Sequence, residues 1–534
     1  MFSITKLAVF VIALCLGGSA SAQVQASGLD DVSPWAVDFL SEDAERLPPT
    51  LWTATSPGTL VALMRRTRTK NLTPGEHLLL RQMVFSAGDQ PTGEMSSDLI
   101  AERVRILLEL GEADAAATLL PLLTGTINGE NPQELATDLL VGLGNQDSAC
   151  AASDSQAREG AFWAKLRATC FVLNDNAPGA ELALELAISE GVDDPWFYEA
   201  VFAGLGLAPE TPTARYDSGI SLALSKKAGL PVPSDAIASS RADLASAVAL
   251  SDDLEPTVRV QAAGMSAEMG MIDSVEHRAA YEALLAEEGF TPRTALEIAI
   301  GANWMGEETI DTRARTLNAA LNTAQGNVAR YHAVSRLLSD DITALPKNET
   351  TLRYGLAFSR AAIAAGDLTA ASDWIETYSE AANDADPSFD VAWTKGLILL
   401  ASNSVTPAPN DRFGTRLVET ADTPDKRQAM RRMLVLLTAF ELPIGDTARA
   451  ALTSDPSEDG EPVFPMLLRS ITAAGNEGAA AELSLQTLKL TAGDPANVRS
   501  SDMAQIIEAL RLSGAMEAAR QLALESTGFW KREL

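Results

Sequence analysis

Apolar residues recur along this chain with the period of an α-helix, and short polar turns separate the segments they mark. From Ser97 onward, Ile100, Val104, Leu107 and Leu108 fall at i, i+4, i+7 and i+8, one stripe of a helix that Ser97 is placed to cap. Gly111 stops that helix, and Ala115 and Ala116 follow four and five residues later in the next apolar segment. The arrangement returns at Gly366 with Ala370 and Ala371, at Gly475 with Ala479 and Ala480, and at Gly514 with Ala518 and Ala519. Four residues before each glycine stands Leu107, Ala362, Ile471 or Leu510; eight after it stands Leu119, Trp374, Leu483 or Leu522. The pattern predicts helix, tight turn, helix, with the glycine ending the first helix and the small pair where the two helices cross. A degenerate copy has Asp175 in the glycine position, followed by Gly179 and Ala180.

Further helices are expected over Gly58–Arg68, after Thr73-Pro74, and from Asp194-Pro195-Trp196, where Trp196, Phe197 and Tyr198 form the densest aromatic cluster. No stretch sustains two-residue alternation with β-branched residues, so strands should be minor. Proline-bearing breaks at 208–218 and 230–234 divide the chain. The expected organisation is a leader over 1–22, an irregular segment over 23–57 packed through Trp35 and Trp52, a hairpin array over 58–207, a middle helical region over 208–345 and a second array over 346–534.

Composition refines this. The chain has 534 residues, too many for one ordinary compact core, although a repeat array can grow by adding hairpins. Its 41 Lys+Arg against 72 Asp+Glu give a net charge of −31, with the acids spread along the chain. Such a balance disfavours nucleic acid and anionic lipid as partners, because both are gripped by Lys and Arg. It reads either as a solvated surface or as attraction for a basic partner or for divalent cations.

The first residues carry Lys6, the apolar run Leu7–Leu16, Gly17 and Gly18, and the small-residue site Ala20-Ser21-Ala22. This is the layout of a secretory signal peptide cleaved after Ala22, with an apolar run too short to span a bilayer. A lipoprotein reading through Cys15 meets Leu14 where a small residue is wanted. The mature chain is expected in a bacterial periplasm or secreted, with no transmembrane segment. Outside the leader two cysteines remain, Cys150 and Cys170, and in an oxidising compartment they predict one disulfide.

The glycine turns with early alanines in the second helix resemble the tetratricopeptide-repeat class of α-solenoid. The resemblance covers about five hairpins. It implies an all-α chain of stacked antiparallel hairpins with a concave protein-binding face. The period is irregular, and an irregular multi-helix protein with good turns is the alternative.

Chemistry-bearing motifs are few. His77, His277 and His332 are far apart in sequence, and no metalloprotease, P-loop, dinucleotide or nucleophile-elbow pattern occurs. Asp252-Asp253 and Asp340-Asp341 read as caps or solvated loops, and Asp455, Glu458 and Asp459 lack a calcium-loop rhythm. No catalytic, cofactor-binding or metal-ligating residue is assigned. One basic cluster, Arg65, Arg66, Arg68 and Lys70, is either a helix C-terminus favoured by the macrodipole or a docking patch for an acidic partner or for envelope polyanions. Near the C-terminus, Phe529 and Trp530 either cover the last hairpin or insert into a partner. The expected function is a non-catalytic periplasmic scaffold that binds a protein or peptide in a cell-envelope process. The alternatives are an exported polysaccharide lyase or hydrolase, which would need a concave site around Tyr198, Tyr216, His277 or His332, and a structural or stress-related envelope protein.

Overall fold

The apolar stripes form helices throughout. A computed structural model describes residues 33–531 apart from 124, 128, 154–158, 209, 234, 239, 302–308, 382–387, 403–410 and 455–458. The leader over 1–22, Asp455 and Glu458 lie outside the described residues. Among the described residues there are 28 α-helices and no strand, only the isolated bridges Ile127–Glu130 and Glu461–Val498. No helix of the described residues is long and apolar enough to cross a membrane.

The repeated turn has a common geometry. Gly111, Gly366 and Gly514 adopt φ of +82°, +87° and +85°, the left-handed conformation that ends a helix and that glycine enters without steric cost. Each stands between paired helices: Ser96–Glu109 and Ala113–Leu119, Gly355–Ala365 and Leu368–Ala381, Ser500–Leu512 and Met516–Ser526. Asp175 takes the same role with φ +54°, between Ala161–Leu173 and Ala177–Ser189. Ala115, Ala116, Ala370, Ala371, Ala518 and Ala519 are all buried, as are the flanking Leu107, Leu119, Trp374, Leu510 and Leu522.

The turn expected at Gly475 lies three residues later. Gly475 is inside the helix Pro465–Asn476, and Gly478 carries the positive φ of +70°. Gly475 serves packing instead: a Cβ there would come 2.9 Å from the Ala509 Cβ, so its absence lets Pro465–Asn476 lie close against Ser500–Leu512. Ser97 also differs. The helix starts at Ser96, preceded by Met95 in the left-handed conformation and without a side-chain cap.

Two hydrophobic cores form. One gathers residues between Trp35 and Leu139 with residues between Ala299 and Trp530; the other occupies Val141 to Ala280 and reaches Ala333. The first core therefore joins the two ends of the described chain. Helix Pro74–Phe85 packs on both Ala480–Thr491 and Met516–Ser526. Side chains cross the same seam: the Glu45 carboxylate accepts from the Met516 and Glu517 N–H groups at 2.9 and 2.8 Å, capping a helix that has no side-chain cap of its own.

The irregular segment after residue 33 is held by a buried cation. Arg103 donates to the carbonyls of Val84 (2.8 Å), Pro34 (2.9 Å), Val37 (3.2 Å) and Ser86 (3.4 Å). It also faces the rings of Trp52 and Phe39 at 5.5 and 5.9 Å. Burial pushes its guanidinium down to about 10, against the opposing pull of the Asp38 charge. In the second core, Cys150 and Cys170 form a disulfide with Cα atoms 5.7 Å apart, tying Gln146–Ser153 to Ala161–Leu173.

Gly475→Val should destabilise the first core by about 1–3 kcal/mol through overpacking against Ala509, read as a lower denaturant midpoint. Replacing Cys150 and Cys170 together by alanine should cost on the order of 3 kcal/mol through the freed loop. Hydrogen exchange should report that loss in 141–280 and leave Pro74–Phe85 unchanged.

Candidate functional site

The junction of the two cores opens into a cleft of about 1280 Å³. One side comes from the loop 67–70, the end of Ser96–Glu109 and the start of Pro132–Gly142; the other comes from Ala161–Leu173, Pro195–Gly204, Gly219–Lys227 and the residues 240–243. Each half of the cleft is thus built by a different core.

Asp138 fastens the halves. Its carboxylate accepts from the Gly219 and Ile220 N–H groups at 2.8 and 3.0 Å and pairs with Arg241 at 2.8 Å. It caps the helix Gly219–Lys227 from another helix, and Arg241 continues to Asp243 at 2.7 Å. The approach is close: a Cβ on Gly219 would lie 1.9 Å from the Asp138 carbonyl oxygen, so only glycine fits. Buried carboxylates persist when donors surround them, as here.

A second network lines the wall. Lys165 pairs with Asp194 at 2.7 Å, and Arg215 approaches the same carboxylate at 3.8 Å. Partial burial works against the Asp194 charge, but the hydrogen bond and charge of Lys165, the Phe197 N–H and Arg215 hold it below the usual carboxylate range. Lys165 lies over the Phe197 ring at 5.4 Å and Arg215 over Trp196 at 5.0 Å. The Trp196 Nε1–H donates to the Thr213 carbonyl at 2.8 Å. Across the cleft, burial raises the Glu134 carboxyl despite a hydrogen bond from Trp163, and the nearby Glu130 charge adds to the rise.

The basic cluster divides. Arg65 pairs with Glu102 at 3.0 Å and Asp98 at 3.2 Å on the surface, and Arg66 is exposed. Arg68 and Lys70 line the cleft, and Arg68 also reaches Glu76 at 3.3 Å. Asp459 is buried in an ion pair with Arg432 at 2.7 Å and accepts from Ser500. Phe529 and Trp530 are buried, with Phe529 against Tyr331 and His332. Tyr198, Tyr216, His277 and His332 do not line the cleft; the Tyr198 hydroxyl donates to the Val192 carbonyl at 2.6 Å. Of the cleft, sequence reasoning reached Arg68, Lys70 and the aromatic pair Trp196 and Phe197. It missed Asp138 and Arg241, whose partners lie 81 to 103 residues away.

The three histidines lie on three different helices. They come from Pro74–Phe85, Ser274–Leu285 and Val328–Leu337, and the Arg336 charge acts on each of them. Burial is the largest cause; Arg81 and then Arg336 add to it at His77, Arg336 and Arg278 at His277, and Arg336 at His332, where the Ala364 carbonyl opposes, and the results are about 4, about 4 and about 3. Among the described residues, no group of three or more His, Cys, Asp or Glu side chains is placed to hold a metal ion.

No protein-family model, curated protein or solved structure matches the chain.

The histidines fix a pH dependence. Their folded values are depressed below the ordinary 6.5, so the stability they confer is present above 6.5 and is lost as pH falls toward 4 and 3. Urea midpoints should drop between pH 7 and pH 4.5, and His332→Gln should flatten the drop.

Proposed function

We propose that this chain is a non-catalytic binding protein of the cell envelope, exported by a cleaved leader, whose hairpins stack in a tetratricopeptide-like manner and whose cleft between the two cores holds a protein or peptide segment. The observation that carries this reading is the cleft itself, about 1280 Å³ and walled by both cores. Specific sites tend to be concave, to occur where two folding units meet and to combine apolar walls with a few placed polar groups. Here Phe162, Trp196 and Phe197 supply apolar surface, while Lys70, Glu130 and Asn131 offer polar contacts. The charges deepest in the wall are already matched to one another through Asp138, Arg241, Asp243, Asp194 and Lys165. Groups held in this way orient a ligand at little ordering cost. The disulfide and the lack of a membrane-spanning helix among the described residues fit an exported, unanchored chain.

The test compares the wild-type chain with the double variant Lys70→Glu/Glu130→Arg, which reverses two exposed cleft charges without touching either core. Both are immobilised and offered an envelope extract, and captured proteins are then titrated as purified ligands. A ligand bound by the wild type and weakened about tenfold or more by the variant, roughly 1.4 kcal/mol, is expected, with equal melting curves for the two proteins. Equal binding by both would remove the cleft as the site. Release of new reducing ends from envelope polysaccharide would instead mark an enzyme.

A further inference from the structure

The seam joining the two ends of the chain contains two buried glutamates in unequal surroundings. Glu76 is fully buried and collects four donors: the Thr73 N–H at 3.0 Å, the Thr491 hydroxyl at 2.5 Å, the Gly493 N–H at 2.7 Å and Arg68 at 3.3 Å. Glu525 is also fully buried but is less well supplied. Its Oε1 accepts from the Gly75 N–H at 2.7 Å and from Gln521 at 2.9 Å, and the Thr73 side chain is a further donor to the carboxyl, but all three donors are neutral. That environment suits the neutral acid.

The charges around Glu525 offer no compensating cation. From Pro74–Phe85 it faces Glu76, whose charge opposes its ionisation. From Val328–Leu337 the neutral His332 is reached through Gln521 at 3.2 Å, and Arg336 stands one turn beyond. From Pro424–Ala439, Arg432 donates to the neighbouring Ser526 carbonyl but is neutralised by Asp459. Arg68 is engaged by Glu76. Burial first, and the Glu76 charge with it, push the Glu525 carboxyl up to about 7 against the hydrogen bonds it accepts.

We propose that Glu525 works as a proton-operated latch: neutral, it lets Pro74–Phe85 sit on Met516–Ser526, and on losing its proton to solvent beside Glu76 it loosens that seam and, with it, Arg68 at the lip of the cleft. Only the last step, the effect on the cleft, rests on the cleft being the binding site. The loosening of the seam stands apart from any ligand. Its sign is fixed by linkage: a carboxyl raised in the fold stabilises the closed form below its ordinary value of 4.5, and that stability is lost as pH rises through about 7.

The test needs no ligand. Hydrogen exchange of the full chain is followed by mass spectrometry at pH 6 and pH 8.5, with rates corrected for the intrinsic pH dependence of exchange. Measured against Glu525→Gln, in which the same histidines titrate, protection of Pro74–Phe85 and Met516–Ser526 is expected to fall about tenfold at the higher pH, since each unit of pKa difference is a factor of ten. Ala161–Leu173, in the other core, should keep its protection. Glu525→Gln should show no fall. A wild-type pH profile that matches that of Glu525→Gln or, should that variant not fold, of Glu525→Met overturns the latch. So does a fall that includes Ala161–Leu173.

Discussion

A buried carboxyl group needs hydrogen-bond donors around it, and Glu76 obtains its donors from both ends of the chain. Thr73 and Arg68 are local, whereas Thr491 and Gly493 lie 415 and 417 residues away. The ring of donors therefore exists only when Pro74–Phe85 has docked on the C-terminal hairpins. Glu45 repeats the logic at the helix Met516–Ser526, and the Thr50 hydroxyl does so at the Gly478 carbonyl. Apolar packing supplies most of the attraction, since Leu79, Leu80, Met83, Leu485, Leu488 and Leu522 are buried there. The polar contacts fix its register.

The closure bears on the cleft because Arg68 belongs to both. The other groups of the cleft are set by Asp138, which locks a helix of the second core onto one at the boundary of the first. A ligand in the cleft would touch both cores at once. Their relative placement is what such a ligand would sense.

Local physics made much of the helical framework legible. Gly111, Gly366, Gly514 and even Asp175 announce their turns because the left-handed conformation selects few residues. The disulfide followed from two cysteines close in sequence. Gly475 misled because two glycines three residues apart compete for one turn, and local sequence does not say which of them a neighbouring helix needs for contact. The division into two cores and the roles of Asp138 and Glu76 were not legible. Each depends on a partner tens to hundreds of residues away, and a single buried Asp or Glu looks like any surface acid until that partner is known. Of the candidate site, the sequence showed its aromatic wall and half of its basic rim.

The contact between Gly75 and Glu525 spans 450 residues. A ribosome completes Pro74–Phe85 long before Met516 exists, so during synthesis this helix carries Leu79, Leu80 and Met83 with their eventual cover still unmade. The second core, whose contacts lie within 141–280 apart from Ala333, can condense meanwhile. Joining the ends is the step with the largest loop to close, and folding slows as contacts become less local. The newborn chain thus has a long interval in which its N-terminal helices are sticky, and whatever chaperone attends it must hold that region until the last hairpin arrives.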